Sequence, residues 1–228
     1  MKKSYFVALF ILLQLVAKGQ VINQFSRFDF SISGGISKSF TDERNSDVAV
    51  LGLAGITYNQ TPYINYVAEI QGGQFMGNSN YANSLQRDFK TNYLAPSFRV
   101  QFQLGEFVDY NSSSFLNTLK NMYISPGIGV IYTRSNVNTI AASGSSYTTG
   151  YDKVVDYSMF IPARLGYEFK IFVEDEPFMK IDVGYQFNYL IGDKLDGNLS
   201  GKSNDMFHQL TLGFKFAIPG VTTYRKPI

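Results

Sequence analysis

The chain has 228 residues; Phe and Tyr make up 16% of it, charged residues 17%, and cysteine and tryptophan are absent. Such a length suits one β domain, and the composition excludes a disordered chain, a disulfide framework and a lipid attached at cysteine. The formal charge of +2 sits at the amino terminus: without Lys2, Lys3 and Lys18 there are 17 basic against 18 acidic residues, which leaves no basic patch for nucleic acid.

Residues 1–19 have the three parts of a secretory signal: Lys2 and Lys3, an apolar run from Tyr5 to Val16, and small residues at Ala17 and Gly19. We expect cleavage before Gln20. The run is too short to cross a bilayer as a helix. No later stretch is apolar enough to do so.

From there the chain reads as strands. Phe28, Phe30, Ile32, Ile36 and Phe40 alternate with Asp29, Ser31, Ser33, Ser37 and Ser39, and a charged loop follows from Thr41 to Asp47. Val48 to Tyr58 is a second strand, apolar on both faces, whose faces the pattern does not assign. Asn59 to Pro62 has the residue types of a tight turn. The third strand puts Ile64, Tyr66, Ala68 and Ile70 opposite Asn65, Glu69 and Gln71. Gly77 to Arg87 reads as a loop. The fourth strand sets Leu94, Phe98, Val100, Phe102 and Leu104 against Thr91, Ser97, Arg99, Gln101 and Gln103.

Glu106 to Asn121 is a longer link in which Ser114 would cap a helical turn. Met122 to Arg134 is the fifth strand, and Ser135 to Val155, dense in Ser, Thr, Asn and Gly, reads as the longest polar loop. The sixth strand places Tyr157, Met159, Ile161, Leu165, Tyr167 and Phe169 opposite Ser158, Arg164, Gly166, Glu168 and Lys170. After the acidic turn Glu174 to Pro177 comes the clearest pattern in the chain. Met179, Ile181, Val183, Tyr185, Phe187, Tyr189 and Ile191 occupy every second position, with Lys180, Asp182, Gly184, Gln186 and Asn188 between them. That is a two-faced strand long enough to cross a bilayer, which takes roughly 9 to 11 tilted residues. Asp193 to Asp205 is a polar loop, and an eighth strand sets Leu210, Leu212, Phe214, Phe216 and Ile218 against Gln209, Thr211, Gly213 and Lys215.

The reading is therefore all-β: a transmembrane antiparallel up-and-down β-barrel of about eight strands over residues 20–218, with a periplasmic tail over 219–228. An even strand number puts both termini on the periplasmic side, with short turns there and longer loops outside. The link after the fourth strand breaks that rule. Alternation alone also fits a soluble sandwich or lipocalin. What favours a membrane is the absence of charge from the middle of each apolar face, where a Lys or Arg would cost roughly 2 to 4 kcal/mol.

The polar faces hold Glu69, Arg99, Arg164, Glu168, Lys180, Asp182 and Lys215. Hairpin geometry sets Glu69 beside Arg99, Glu168 beside Lys180, and Asp182 beside Lys215, with Arg164 reaching across to Glu69. An enclosed interior demands such pairing, because a lone buried charge is costly. A filled interior is the structural reading of these residues, since eight strands leave room for little more than side chains. A narrow channel with ion preference set by Arg99, Arg164 and Glu69 is the functional one.

Tyr93 to Val100, Pro126 to Val130, Pro162 to Phe169, Val183-Gly-Tyr and Leu210 to Phe216 resemble the small outer-membrane barrels of the Bacteroidota labelled PorT-like or OmpA-like. The resemblance spans the mature chain and implies a barrel, an outer-membrane location and no catalytic residues. This chain departs from the pattern in having no peptidoglycan-binding domain after the barrel and in carrying a tail from Pro219 to Ile228.

Sites for chemistry are sparse. His208 is the one histidine; it lies at the outer end of the eighth strand on the lipid-facing parity, flanked by Met206 and Leu210, which supply neither nucleophile nor acid. Gly197 to Ser203 is one residue short of a phosphate-binding loop. Asp193, Asp196, Asn198 and Asp205 lack the spacing of a calcium loop. We expect a non-enzymatic outer-membrane protein with no cofactor or metal, in contact with outer-membrane lipid and lipopolysaccharide. It would act as a structural or accessory subunit of a larger outer-membrane complex. The competing classes are a small-solute channel and an outer-membrane lipid hydrolase, the latter requiring His208.

Overall fold

The computed structural model describes residues 24–40, 45–81, 85–108, 113–143, 146–191 and 205–224. The expected signal segment, nearly all of the loop from Asp193, and residues 225–228 lie outside this set, as do the near phosphate-loop motif Gly197 to Ser203 and most of the acidic cluster beside it.

Eight strands close on themselves: β2 (Phe28–Phe40), β4 (Ala49–Asn59), β5 (Ile64–Tyr81), β6 (Leu85–Gln103), β7 (Met122–Ser143), β8 (Ser146–Val173), β9 (Glu176–Ile191) and β10 (Met206–Ala217). Each pairs antiparallel with its neighbour in sequence, and β10 pairs with β2 to complete the ring. This is the up-and-down barrel that the alternation predicts. Two short strands, β1 (Gln24–Ser26) and β11 (Val221–Thr223), form a separate ribbon, and β3 (Asn45–Ser46) adds to the edge of β5.

Following paired residues once round the ring gives the stagger. From Tyr157 the path runs through Tyr132, Leu94, Gly72, Gly52, Gly34, Leu212 and Val183 and returns to β8 at Tyr167, ten residues on. A stagger of this size tilts the strands steeply against the axis and sets a narrow bore.

Side chains then fall on one of two sides. Ile32, Ile56, Ile70, Ile128, Leu165, Leu210 and Leu212 are exposed on the outer wall, whereas Gln101, Gln186, Asn188 and Glu168 are buried within. This polarity, greasy outside and polar inside, is that of a barrel solvated by lipid. The faces of β4 are now assigned: Ala49, Leu51, Leu53, Thr57 and Asn59 point inward, Val50 and Ile56 outward. Both of its faces are apolar because Leu51 and Leu53 belong to the filling of the barrel.

Two expected loops are strands. Residues 135–155 form a hairpin that closes at Ser143 opposite Ser146, and residues 77–87 extend β5 and β6 up to Tyr81 opposite Leu85. The partner of β8 on its other side stops at Ile191, paired with Met159. β5 to β8 therefore continue as a four-stranded sheet above one side of the far mouth. The sequence hides this because residue types rich in Ser, Thr, Asn and Gly give no alternation there; hydrogen-bond continuity carries the strands onward.

At the opposite mouth, where the chain enters and leaves the barrel, turns are tight. Glu174 and Asp175 link β8 to β9 with φ of 52° and 65°, the positive pair of a type I′ hairpin turn. Between β6 and β7 lies the link that breaks the short-turn rule: a 3₁₀ turn (Leu104–Glu106) followed by α1 (Ser114–Leu119). The cap of α1 is Ser113 rather than Ser114, its Oγ accepting from the Phe115 N–H at 3.3 Å.

Candidate functional site

The interior is filled in tiers. Nearest the far mouth, Phe75, Tyr93, Ala95, Ile131, Phe160, Leu190 and Phe207 form one apolar cluster. Phe75 stacks on Tyr93 at 4.4 Å and meets Phe207 edge-on at 5.1 Å. Small inward residues make this possible: a methyl group at Gly129 would collide with the Phe160 ring. Alternating small and large residues is how a narrow bore is filled without voids. Below lie neutral amides, with Gln209 donating to the Tyr93 hydroxyl at 3.2 Å and Gln186 to Asn188 Oδ1 at 2.7 Å.

Beneath the amides are the charges. All seven residues singled out from the sequence are buried on the inward face. Arg99 meets Glu69 at 3.0 Å and donates to Ser125 at 3.2 Å. Arg164 pairs with Asp182 and donates from Nε to the Tyr123 hydroxyl at 2.8 Å, and that hydroxyl donates onward to Asp182 Oδ2 at 2.9 Å. Lys215 lies 2.5 Å from Glu168 and 3.1 Å from Asp182. Glu168 also accepts from Gln101 at 2.9 Å and Gln103 at 2.6 Å.

Two expected partnerships are corrected. Glu168 pairs with Lys215 rather than Lys180, and Arg164 with Asp182 rather than Glu69. The register explains both. Glu168 stands directly opposite Asp182, and Lys180 directly opposite both Lys170 and Lys215. Like charges face each other on adjacent strands, so each turns to a partner elsewhere on the wall. Lys180 finds Asp29, at 2.6 Å.

Asp29 was not singled out from the sequence, nor were Tyr123 and Lys170. Asp29 is fully buried; besides Lys180 it accepts from Ser26 Oγ at 2.5 Å and Asn59 Nδ2 at 2.8 Å. Lys170 donates to Gln103 Oε1 at 2.8 Å and to the Pro62 carbonyl at 2.7 Å. The signal was present: all three sit on the inward parity of their strands, where any large polar side chain must find a partner.

The terminal mouth is covered. Gly220, at φ 131°, follows Pro219 in a turn that suits glycine. It returns the chain so that Val221, Thr222 and Thr223 pair with Ser26, Phe25 and Gln24. Tyr224 packs edge-on against Phe25 at 6.5 Å and Tyr63 at 6.3 Å, with its hydroxyl 3.5 Å from the Glu106 carboxylate. The tail is thus a lid over the mouth, joined to the charges through Ser26 and Asp29.

Chemically, the buried carboxylates of Asp29, Glu69, Glu168 and Asp182 are each neutralised by a cation at their side. Such groups brace a wall. His208 lies on the outer wall, its Nδ1 hydrogen-bonded to the Tyr185 hydroxyl and its ring 5.1 Å from Phe187. That setting is aromatic, as suits a polar residue near an interface.

The architecture defines a class, the transmembrane-type eight-stranded β-barrel. No family model matches the chain, and no curated protein does. Among solved structures the chain is similar to Neisserial surface protein A, at 14% identity over 85% of this chain and 98% of that one, with a TM-score of 0.48. It is also similar to Ail, the attachment invasion locus protein of Yersinia pestis, at 12% identity over 84% and 97%, TM-score 0.46. A third is the outer membrane protein OprG from Pseudomonas aeruginosa, at 12% identity over 86% and 100%, TM-score 0.40.

Proposed function

We propose that the protein is a non-enzymatic integral outer-membrane barrel of the small Bacteroidota kind. Its termini are periplasmic, and it serves as a structural or accessory subunit of a larger envelope complex. The observation that carries this reading is the filling of the bore: among the described residues, apolar cluster, amide tier, ion pairs and lid follow one another along the axis where a channel would need open space. What it presents instead is surface, namely the lipid-facing wall and the four-stranded sheet that rises above the far mouth. The location is supported by the apolar exterior and by the signal-like amino terminus.

The test is a tagged pull-down from native outer membranes in mild detergent, with stoichiometry measured. A stoichiometric protein partner is the expected result. Recovery of the barrel alone, together with steady single-channel conductance in planar bilayers, would replace this reading with that of a narrow channel. Release of the protein from membranes by carbonate would end the membrane reading altogether.

A further inference from the structure

The neck of the link between β6 and β7 is closed by a hydrogen bond from the Gly105 N–H to the Lys120 carbonyl at 2.8 Å, which leads straight into β7. Glu106 turns to the lid, accepting from Thr61 at 3.2 Å and lying 3.5 Å from the Tyr224 hydroxyl. The link also carries two large exposed rings, Phe107, 70% exposed, and Phe115, 68% exposed. Both stand further into the surroundings than the wall aromatics at the same mouth, such as Phe28 at 45% and Phe216 at 41%.

The position of α1 decides what these rings face. The Tyr167 hydroxyl donates to the Thr118 carbonyl at 2.6 Å. Tyr167 is on the outward parity of β8, between the inward Gly166 and Glu168, and its ring lies 4.6 Å from that of Phe169, the next outward residue. The last turn of α1 is therefore fastened to the lipid side of the barrel's foot, and it does not hang beneath the bore. Residues 113–119 carry no charge and set Phe115, Leu116 and Leu119 among the polar Ser113, Ser114, Asn117 and Thr118, a mixed segment at the level where wall aromatics meet headgroups. Aromatic rings are favoured at that boundary.

We propose that this link is a foot: Phe107 and Phe115 insert into the phospholipid of the inner leaflet at the boundary between headgroups and acyl chains. The inference rests on the membrane-spanning reading above. The foot would fix the depth and tilt of the barrel.

The chain lacks cysteine, so single labels can be placed without background. Full-length barrels carrying Phe107→Cys or Phe115→Cys are labelled with a fluorophore and reconstituted in phosphatidylcholine vesicles. Thr223→Cys on the lid is the aqueous control and Leu165→Cys on the wall the deep one. Each variant is first checked for the heat-dependent gel shift of a folded barrel. Labels at 107 and 115 should be quenched several-fold more by lipid bearing a nitroxide near the headgroup than the label at 223, and several-fold less by aqueous iodide. If iodide reaches 107 and 115 as readily as 223 while 165 is quenched only by lipid, the foot is wrong and the barrel reading stands. Shielding of 107 and 115 from both quenchers means that they fold onto protein, which also overturns the foot. Iodide quenching at 165 would overturn both readings together.

Discussion

At the scale of single residues, Tyr123 joins three charged groups in the interior. Its hydroxyl accepts a hydrogen bond from Arg164 Nε and donates one to Asp182, while the Lys215 ammonium lies 5.8 Å from the centre of its ring. Gly166 leaves the space: a methyl group there would strike the Tyr123 ring. Tyr123→Phe keeps the ring and removes the bridge, so a loss of about 1 to 3 kcal/mol is expected, read as a lower urea midpoint for the barrel folded in lipid. Arg164→Ala goes further. It strips Asp182 of one of two cations and should cost about 3 to 5 kcal/mol, with the midpoint falling more than for Tyr123→Phe. The reverse ranking would mean that the hydroxyl, not the ion pair, is the anchor. Higher in the bore, Gly129→Ala puts a methyl into the Phe160 ring and against the Pro96 carbonyl. Overpacking of that kind costs about 1 to 3 kcal/mol.

At the scale of elements, the β8–β9 turn and the outer hairpin make opposite demands. The turn holds two side-chain-bearing acidic residues at positive φ, a conformation that costs an ordinary L-residue roughly 1 to 2 kcal/mol. Replacing Glu174-Asp175 by Asn-Gly should therefore raise the unfolding midpoint; no change would show that the turn is unstrained. The outer hairpin rises beyond the last paired residue of β9, Ile191. A chain with residues 138–151 replaced by a two-residue turn should keep its heat-dependent gel shift while losing any partner that reads the far sheet. Loss of the gel shift would make the hairpin part of the barrel's stability. These two elements also mark what could be read from residues. Parity inside the bilayer was legible wherever lipid and lumen impose opposite chemistry, as in β9 and β10. It failed in β4, where Leu51 and Leu53 fill the bore while Val50 and Ile56 face outward, and in the extensions of β5 to β8, whose polar residues do not alternate. The charged residues were legible as inward, and so were the adjacent-strand pairs Glu69 with Arg99 and Asp182 with Lys215; Lys180 with Asp29 and Lys215 with Glu168 were not, because each joins strands that are not neighbours in the ring.

At the scale of the whole molecule, the seal has two ends of different chemistry, rings at the far mouth and a ribbon at the terminal one. A chain ending at Ile218 lacks β11 and Tyr224 but retains every ring-closing pair of β2 and β10. It should fold to a barrel at an unchanged rate and unfold faster, since a contact made after the transition state slows only unfolding. Slower folding of this variant would place the ribbon early in assembly.

The same ribbon is a buckle across the one seam where the two ends of the chain meet. β2 and β10 are the first and last strands of the ring, and beyond them three further residue pairs, Gln24 with Thr223, Phe25 with Thr222 and Ser26 with Val221, fasten the loose ends together. A force applied to both termini would reach this buckle first. The molecule would give a short initial rupture before the wall began to peel, one strand at a time, from whichever side of the seam yielded.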